Sequence, residues 1–354
     1  MIHLRKVIFV TNYFGNGGAA TVMKSIINHL NKKDYSILLV SFLDDVNKYD
    51  IPDGVTYIPL SKTMRLSSFE KIRCILNLRK ILKKEQDATV VSFEYFINMR
   101  TVIARLFLKS KLVISERNDP NRSGNSKKGI RNILYRFADV LVCQTNDAKN
   151  YFPSDIQKKI IVIPNAIRSD LPEPYAGVRK KKIVTFCRVE RQKNLPMMID
   201  AFKIFHERYP EYQLEIYGDG TEKESIIQYT KDSQLDQYVV FYDFKKDLHN
   251  SILDYSMFVS TSDFEGISNS MLEAMAIGLP TICTDCPCGG ASMAIEDGVN
   301  GFLSPVGDSK LFAEKMVYLI GHPDLMEKFT DNYYMVKEKF DSVKIFNEWE
   351  KLVK

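Results

Sequence analysis

The chain has 354 residues, of which 45% are apolar and 26% charged, enough for two globular domains with separate cores. No apolar run approaches the ~18 residues that cross a bilayer as a helix, and the opening MIHLRKVIFVTNYF is too short for a secretory signal, so a cytoplasmic protein is expected. The net charge of +5 conceals a split: residues 1–178 hold 28 Lys and Arg against 16 Asp and Glu, the rest 21 against 28, so an anionic partner is expected for the first half only.

The first half alternates strands and helices. VIFV (7–10) is a buried strand, followed by the Gly loop GNGGAA (15–20) and a helical pattern over 21–30. SILLVSF (36–42), TVVSFEY (89–95), LVISE (112–116) and DVLVCQT (139–145) read as further strands, with helices at 67–84 and 129–137 and KIIVIPNAI (159–167) closing the half. DLPEPYAGVRKKK (170–182), with two prolines and a basic run, reads as the interdomain linker. The second half starts afresh with the strand IVTFCRV (183–189). It continues through a helix at 195–208, QLEIYG (213–218), a helix near 222–231 and VVFYDF (239–244). A helix at 246–255, MFVST (257–261), the helix MLEAMAI and PTICT (280–284) follow, and the tail FDSVKIFNEWEKLVK is an amphipathic helix with the only tryptophan, Trp349. Such alternation predicts two α/β domains, each a doubly wound parallel sheet with helices on both faces.

The densest chemistry lies in SDFEGISNSMLEAMAIG, where Glu265 sits in a polar loop after a strand and Glu273 on the helix that follows. Open α/β sheets bind ligands beyond the carboxyl ends of their strands, and a helix start offers backbone N–H groups to an anion. Were residues 265–273 wholly helical, the glutamates would stand ~12 Å apart along the axis, which suits two hydroxylated groups bridged by a diphosphate, the shape of a nucleotide sugar. Arg188 and Lys193 in RVERQKN follow a strand end and can face a diphosphate, one as a planar fork and one as a point charge. Gly218 in IYGDG marks a turn that a ligand can approach, and Asn165 in IPNA lies where the halves join. The Gly loop formally fits G-x-G-x-x-A, but four residues separate it from its strand and the next strand-end acid, Asp44, comes 29 residues after Gly15 rather than ~20, which argues against a dinucleotide. Cys283, Cys286 and Cys288 lack a fourth ligand at finger spacing, and no D-x-D pair occurs, so no metal or other cofactor is expected.

Taken in order, IPNAI, RVERQKN, IYGDG, Glu265 with Glu273, EAMAIGLPTICTD and EDGVNGFL (296–303) resemble the donor-binding domain of a family 4 glycosyltransferase, across most of residues 160–305. The first half is less similar, through the Gly loop and ISERNDP (114–120). The resemblance implies a GT-B fold: an acceptor-binding Rossmann-like domain at 1–170, a donor-binding one at 171–330, and a helical segment at 331–354 packing back toward the first. It implies retaining, metal-independent transfer of a hexose or N-acetylhexosamine from a nucleoside diphosphate sugar, for which uridine is the expected nucleoside. By the same resemblance, Glu265 takes the sugar hydroxyls with the backbone of Gly266, Ile267 and Ser268, and Glu273 takes the ribose. Arg188 and Lys193 hold the diphosphate with the N–H groups near Ser270 and Met271, and Gly17 and Gly18 approach from the other domain. The family's acceptor-side histidine is replaced here by Glu116 or Arg117, and the residues leave open which. Asp243 stands where the family often has glycine, and Ala291-Ser292-Met293 where it often has Pro-x-Glu.

Residues 67–85 form a basic amphipathic helix with Lys71, Arg73, Arg79, Lys80, Lys83 and Lys84, and a second basic stretch runs through Arg117, Arg122, Lys127, Lys128, Arg131 and Arg136. Basic amphipathic helices lie on anionic membrane surfaces, so the expected acceptor is a lipid-linked glycan at the inner face of the cell membrane, as in capsule or exopolysaccharide assembly. Nucleic acid is not expected. The rival functions are a non-catalytic sugar- or nucleotide-binding protein and a nucleotide-sugar hydrolase or epimerase.

Overall fold

The computed structural model describes residues 5–15, 17–44, 51–63, 66–122 and 125–354, without the side chains of 122, 125 and 126. Asn16 of the Gly loop and the Arg122 side chain therefore lie outside the described residues. The chain divides into two compact units, Met1–Ala166 with Val343–Lys354, and Ile167–Ser342.

The first unit is built on β1 (Arg5–Thr11), β2 (Tyr35–Ser41), β3 (Thr56–Pro59), β4 (Thr89–Phe93), β5 (Lys111–Ser115), β6 (Val140–Cys143) and β7 (Ile160–Val162), in the order β3-β2-β1-β4-β5-β6-β7, every pairing parallel. Strands covered on both faces read as continuous apolar runs rather than alternations, hence VIFV and TVVSF. The chain winds one way from β1 to β3 and the other way from β4 onward. Right-handed crossovers then put helix Gly18–Asn31 on one face of the sheet and helices Ser68–Lys84, Tyr95–Arg105 and Asn125–Tyr135 on the other. The C-terminal helix Ser342–Val353 docks beside helix Gly18–Asn31: Phe346 meets His29 at 5.5 Å, and buried Trp349 meets Phe93 at 5.4 Å. Glu350 accepts from Lys33 and from Lys354 at 2.9 Å, and these bonds pull its carboxyl down to about 2.

The second unit repeats the design with β8 (Lys180–Phe186), β9 (Gln213–Tyr217), β10 (Val239–Tyr242), β11 (Tyr255–Ser260), β12 (Thr281–Thr284) and β13 (Phe302–Ser304), ordered β10-β9-β8-β11-β12-β13 and again parallel. In both units the order reverses beside the first strand, at β1/β4 and at β8/β11, which opens a crevice at the carboxyl strand ends.

Several local readings change. The sequence up to residue 182 is not a free linker: the basic run forms the start of β8, and the Arg179 guanidinium donates to the carbonyls of Leu253, Tyr255 and Gly278 at 3.1, 2.7 and 2.8 Å. The units part at Ala166, not at 170, and residues 331–342 stay with the second unit. TVVSFEY is cut short because helix Tyr95–Arg105 starts at its last residue. β3 and β13 went unread, being edge strands of four and three residues with too few positions for a period to show.

Candidate active site

The second unit's crevice is framed by the segments that leave β8 and β11. After β8 the chain passes Arg188 into a tight turn, Arg191–Lys193, and then Asn194 in the left-handed region at φ 44°, ψ 51°. Asparagine tolerates that conformation. Its side chain also caps helix Leu195–Arg208, accepting from the Met197 amide at 3.3 Å. After β11 the chain runs through residues 261–268. The two segments are laced together: Thr261 Oγ1 donates to the carbonyls of Lys193 and Asn194 at 3.1 and 3.0 Å, Asn194 Nδ2 to Asp263 Oδ1 at 2.6 Å, the Asp263 amide to Gln192 O at 2.9 Å, and Gln192 Nε2 to Phe264 O at 2.8 Å.

This lacing fixes Glu265. Its Oε1 accepts from Lys193 Nζ and, at 3.1 Å, from Ser262 Oγ, whereas Oε2 accepts no hydrogen bond from a described residue. The pair is mostly buried, at 12% and 15% side-chain exposure. Burial alone would pull the Lys193 ammonium down, but the Glu265 carboxylate beside it holds it above its ordinary value. Arg188 is exposed, and its side chain makes no hydrogen bond or ion pair with a described residue. One free cation and one half-committed carboxylate thus share the rim of a crevice.

The helix begins only at Asn269, with Ser268 as its cap, so Glu265 lies outside it and the helical spacing of the two glutamates does not apply. Ser268 Oγ accepts from the Met271 amide at 3.4 Å and lies 3.0 Å from Ser270 Oγ, which engages two of the groups expected to meet an anion. Ile267 is buried. Glu273 Oε2 lies 3.0 Å from His249 Nε2, and His249 is in turn fixed by an edge-on contact with Phe186 at 5.6 Å. Gly218, at φ 143°, is required by packing, since a Cβ there would stand 1.8 Å from the Cys187 carbonyl. Gly290 is required likewise, because a Cβ would stand 1.6 Å from the Gly266 carbonyl; this contact presses the Glu265 loop into place. Cys286 nearby is pushed by burial up to about 12, which leaves a thiol rather than a thiolate ligand.

In the first unit the expected residues also gather at carboxyl strand ends, after β1, β5 and β7. Gly17 precedes helix Gly18–Asn31 in extended backbone at φ −151°, and its amide donates to Gly15 O at 2.8 Å. Glu116 and Arg117 follow β5 and part company. Glu116 turns into the core, accepting from the Tyr135 hydroxyl, and burial pushes its carboxyl up to about 7. Arg117 turns the other way, donating to Asn165 Oδ1 with its guanidinium 5.1 Å over the Phe93 ring. Its Nη1 is buried without a hydrogen-bond partner, and burial lowers the group to about 9. Gln144 Nε2 shares the same Asn165 oxygen at 2.6 Å.

Sequence reasoning missed Gln192, Asn194, Ser262, Asp263 and His249, which hold the cations and glutamates in position. Asn194 was readable as a helix cap ahead of Leu-Pro. The others bond across strands and leave no periodic trace.

Two family models match the chain, one described as Glycosyltransferase Family 4 over residues 16–171 and the other as Glycosyl transferases group 1 over residues 180–322. An uncharacterized glycosyltransferase of Haemophilus influenzae is 23% identical over 97% of this chain and 98% of its own length. The amylovoran biosynthesis glycosyltransferase AmsD of Erwinia amylovora is 21% identical over 98% of this chain and 99% of its own. Among solved structures, sucrose-phosphate synthase from Thermosynechococcus elongatus superposes with a TM-score of 0.86 at 15% identity over 98% of both chains. HepE of Anabaena, in complex with UDP and glucose, gives 0.83 at 18% identity over 98% of both. The paired Rossmann-like units are those of the GT-B class, and the two models between them span most of the sequence. The chain is a glycosyltransferase of the GT-B fold, with a family 4 domain in its first half and a group 1 domain in its second.

Proposed function

We propose that the protein is a retaining, metal-independent transferase that moves a hexose or N-acetylhexosamine from a UDP-sugar to a lipid-linked glycan at the cytoplasmic face of the membrane. The observation that carries this reading is the ion pair of Lys193 with Glu265 at the β8/β11 switch point, with unpaired Arg188 beside it. In this reading Arg188 and Lys193 receive the diphosphate, Glu265 Oε2 and the backbone of Gly266, Ile267 and Ser268 take sugar hydroxyls, Ser270 and Met271 edge the phosphate, and Glu273 takes the ribose. The acceptor hydroxyl meets the anomeric carbon on the face that the diphosphate leaves. The new C–O bond forms as the old one breaks, and the hydroxyl proton passes to the departing phosphate oxygen. Catalysis then rests on positioning and on cations already in place for the leaving charge.

In the first unit, Gly17, Gly18, Arg117 and Asn165 serve the acceptor side. Buried Glu116, bonded to Tyr135, supports them from behind rather than touching substrate. Uridine is supported by the likeness to a protein solved with UDP and glucose. A glycan acceptor is supported by the relative named for amylovoran biosynthesis. The net +12 over residues 1–178 supports an anionic membrane as the place where that acceptor is met.

The test is nucleoside diphosphate release from a panel of nucleotide sugars with a detergent-solubilised membrane lipid extract, wild type beside Glu265→Ala, with and without EDTA. Acceptor-dependent release from one donor, indifferent to EDTA and lost in the variant, is expected. Release that ignores Glu265, or that needs no acceptor, would overturn the reading.

A further inference from the structure

We propose that the face of the first unit formed by helices Ser68–Lys84, Tyr95–Arg105 and Asn125–Tyr135 is a docking surface for an anionic lipid bilayer, with Phe107 as its inserted anchor. It deepens the reading of a lipid-linked acceptor and rests on that reading for its purpose.

Helix Ser68–Lys84 is apolar on both sides. Cys74, Leu78 and Leu82 are fully buried against the sheet. At 100° per residue the opposite pole is occupied by Phe69 and Leu76, flanked by Ile72. A helix on the surface of a soluble domain presents polar residues there, yet Phe69 is 73% exposed. Helix Asn125–Tyr135 and the turn after it repeat the i, i+3, i+7 spacing with Ile130, Ile133 and Phe137, all exposed. Helix Tyr95–Arg105 packs between the two and exposes Phe96 and Ile103. Three neighbouring helices therefore turn apolar side chains outward on one face of one sheet.

Phe107 stands just beyond the middle helix. It is 93% exposed and sits at φ 62°, a left-handed conformation that costs a bulky residue ~1 kcal/mol or more. Arg79 of the first helix fixes the turn, its Nη1 donating to the carbonyls of Ala104 and Leu106 at 2.9 and 2.7 Å. A strained backbone that holds a phenylalanine out in solvent gains nothing for the fold.

Charge identifies the occupant. The three helices contain eleven Lys and Arg and a single acid, Glu70. Arg131 is buried and Arg105 pairs with Asp139, but Lys71, Arg73, Lys80, Lys83, Lys84 and Lys127 make no ion pair with a described residue. Lysine is depleted at the cores of protein–protein interfaces. Apolar side chains interleaved with lysines are instead the composition of helices that lie in the headgroup layer. Among the described residues no helix is long and apolar enough to cross a membrane, so the contact is peripheral.

The test is co-sedimentation of the full chain with vesicles of phosphatidylcholine alone or with added phosphatidylglycerol, at low and physiological salt. Wild type is expected to bind only the anionic vesicles. Arg73→Gln/Lys80→Gln/Lys83→Gln should weaken binding about fivefold per cation removed. Phe69→Gln/Ile72→Gln/Leu76→Gln and, separately, Phe107→Asn, which suits the left-handed turn, should each lose tenfold or more at physiological salt while release of nucleoside diphosphate to detergent-solubilised acceptor stays unchanged. Absence of wild-type binding at low salt, or variants that bind like wild type, would overturn the docking surface. The detergent assay reads the acceptor separately: turnover without vesicle binding sinks only this surface, and vesicle binding without lipid-dependent turnover sinks only the acceptor.

Discussion

The two units share the order of their first six strands and hang different chemistry on it. At the carboxyl ends of β8 and β11, carboxylates are held by partner side chains: Glu265 by Lys193, Asp263 by Asn194, Glu273 by His249. At the corresponding end of the first unit, opposite charges are kept apart. Glu116 is buried with Tyr135, and Arg117, its neighbour in sequence, points away toward Asn165, paired with no carboxylate among the described residues. Paired groups are prepared for a ligand that carries its own dense charge and must be placed to within a fraction of an ångström. An unpaired, desolvated cation is prepared for a ligand that brings the missing anion. The Rossmann-like sheet supplies a crevice in both cases and dictates the contents of neither.

The sharpest way to break this contrast is to remove the pair. Glu265→Gln and Lys193→Met are each expected to lower kcat by about 10²–10³. Because the two act as a unit, the double variant should be scarcely worse than the poorer single. Additive losses, measured by nucleoside diphosphate release, would mean that the two side chains work independently.

Arg117→Met is next in size. Removing a desolvated cation that has no carboxylate partner should raise the melting temperature, while acceptor KM rises about tenfold and donor KM stays unchanged. A shift in donor KM instead would give both units the same ligand and erase the distinction between them.

Glu116 sharpens the comparison through pH. Its folded-state value of about 7 lies above the ordinary 4.5, so between those limits the folded protein holds a proton that the unfolded chain releases, and stability falls as pH rises through that window. Glu116→Gln keeps an acceptor for Tyr135 and cannot ionise. Its stability, followed by thermal melting, should match wild type near pH 4.5 and exceed it at pH 8 by at most on the order of 3 kcal/mol. Parallel curves for the two proteins would show that Glu116 is ionised throughout.

The second unit was the more legible in sequence because its chemistry is local. Arg188 and Lys193 follow one strand, Glu265 and Glu273 follow another, and each lies within a few residues of a recognisable strand or helix. All strands but the short edge strands β3 and β13 were legible for the same reason, since buried parallel strands announce themselves as apolar runs. What escaped was whatever depends on two distant segments meeting. Residues 114–120 carried no sign that Glu116 would turn inward and Arg117 outward, because Tyr135 and Asn165 decide it from 19 and 48 positions away. The apolar outer faces escaped for a different reason. Phe69, Ile72 and Leu76 have the same spacing as a buried stripe, and only the packing of Cys74, Leu78 and Leu82 shows which stripe faces the sheet.

The smallest effect expected is at His249. It lies against Glu273 with Phe186 edge-on to its ring, so it fixes where the carboxylate points without itself facing the crevice. A positioning residue of this kind alters how well the ground state is held rather than how the bond is broken. His249→Ala should therefore raise donor KM by the worth of one hydrogen bond, about two- to tenfold, and leave kcat within twofold. His249→Asn, which can still donate toward Glu273, should recover part of the loss, whereas a merely structural histidine would show reduced stability in both variants and no such rescue. If kcat fell along with affinity, Glu273 would be sensing the transition state, and the division of labour between the two glutamates would have to be redrawn with Glu273 beside Glu265 at the reacting carbon.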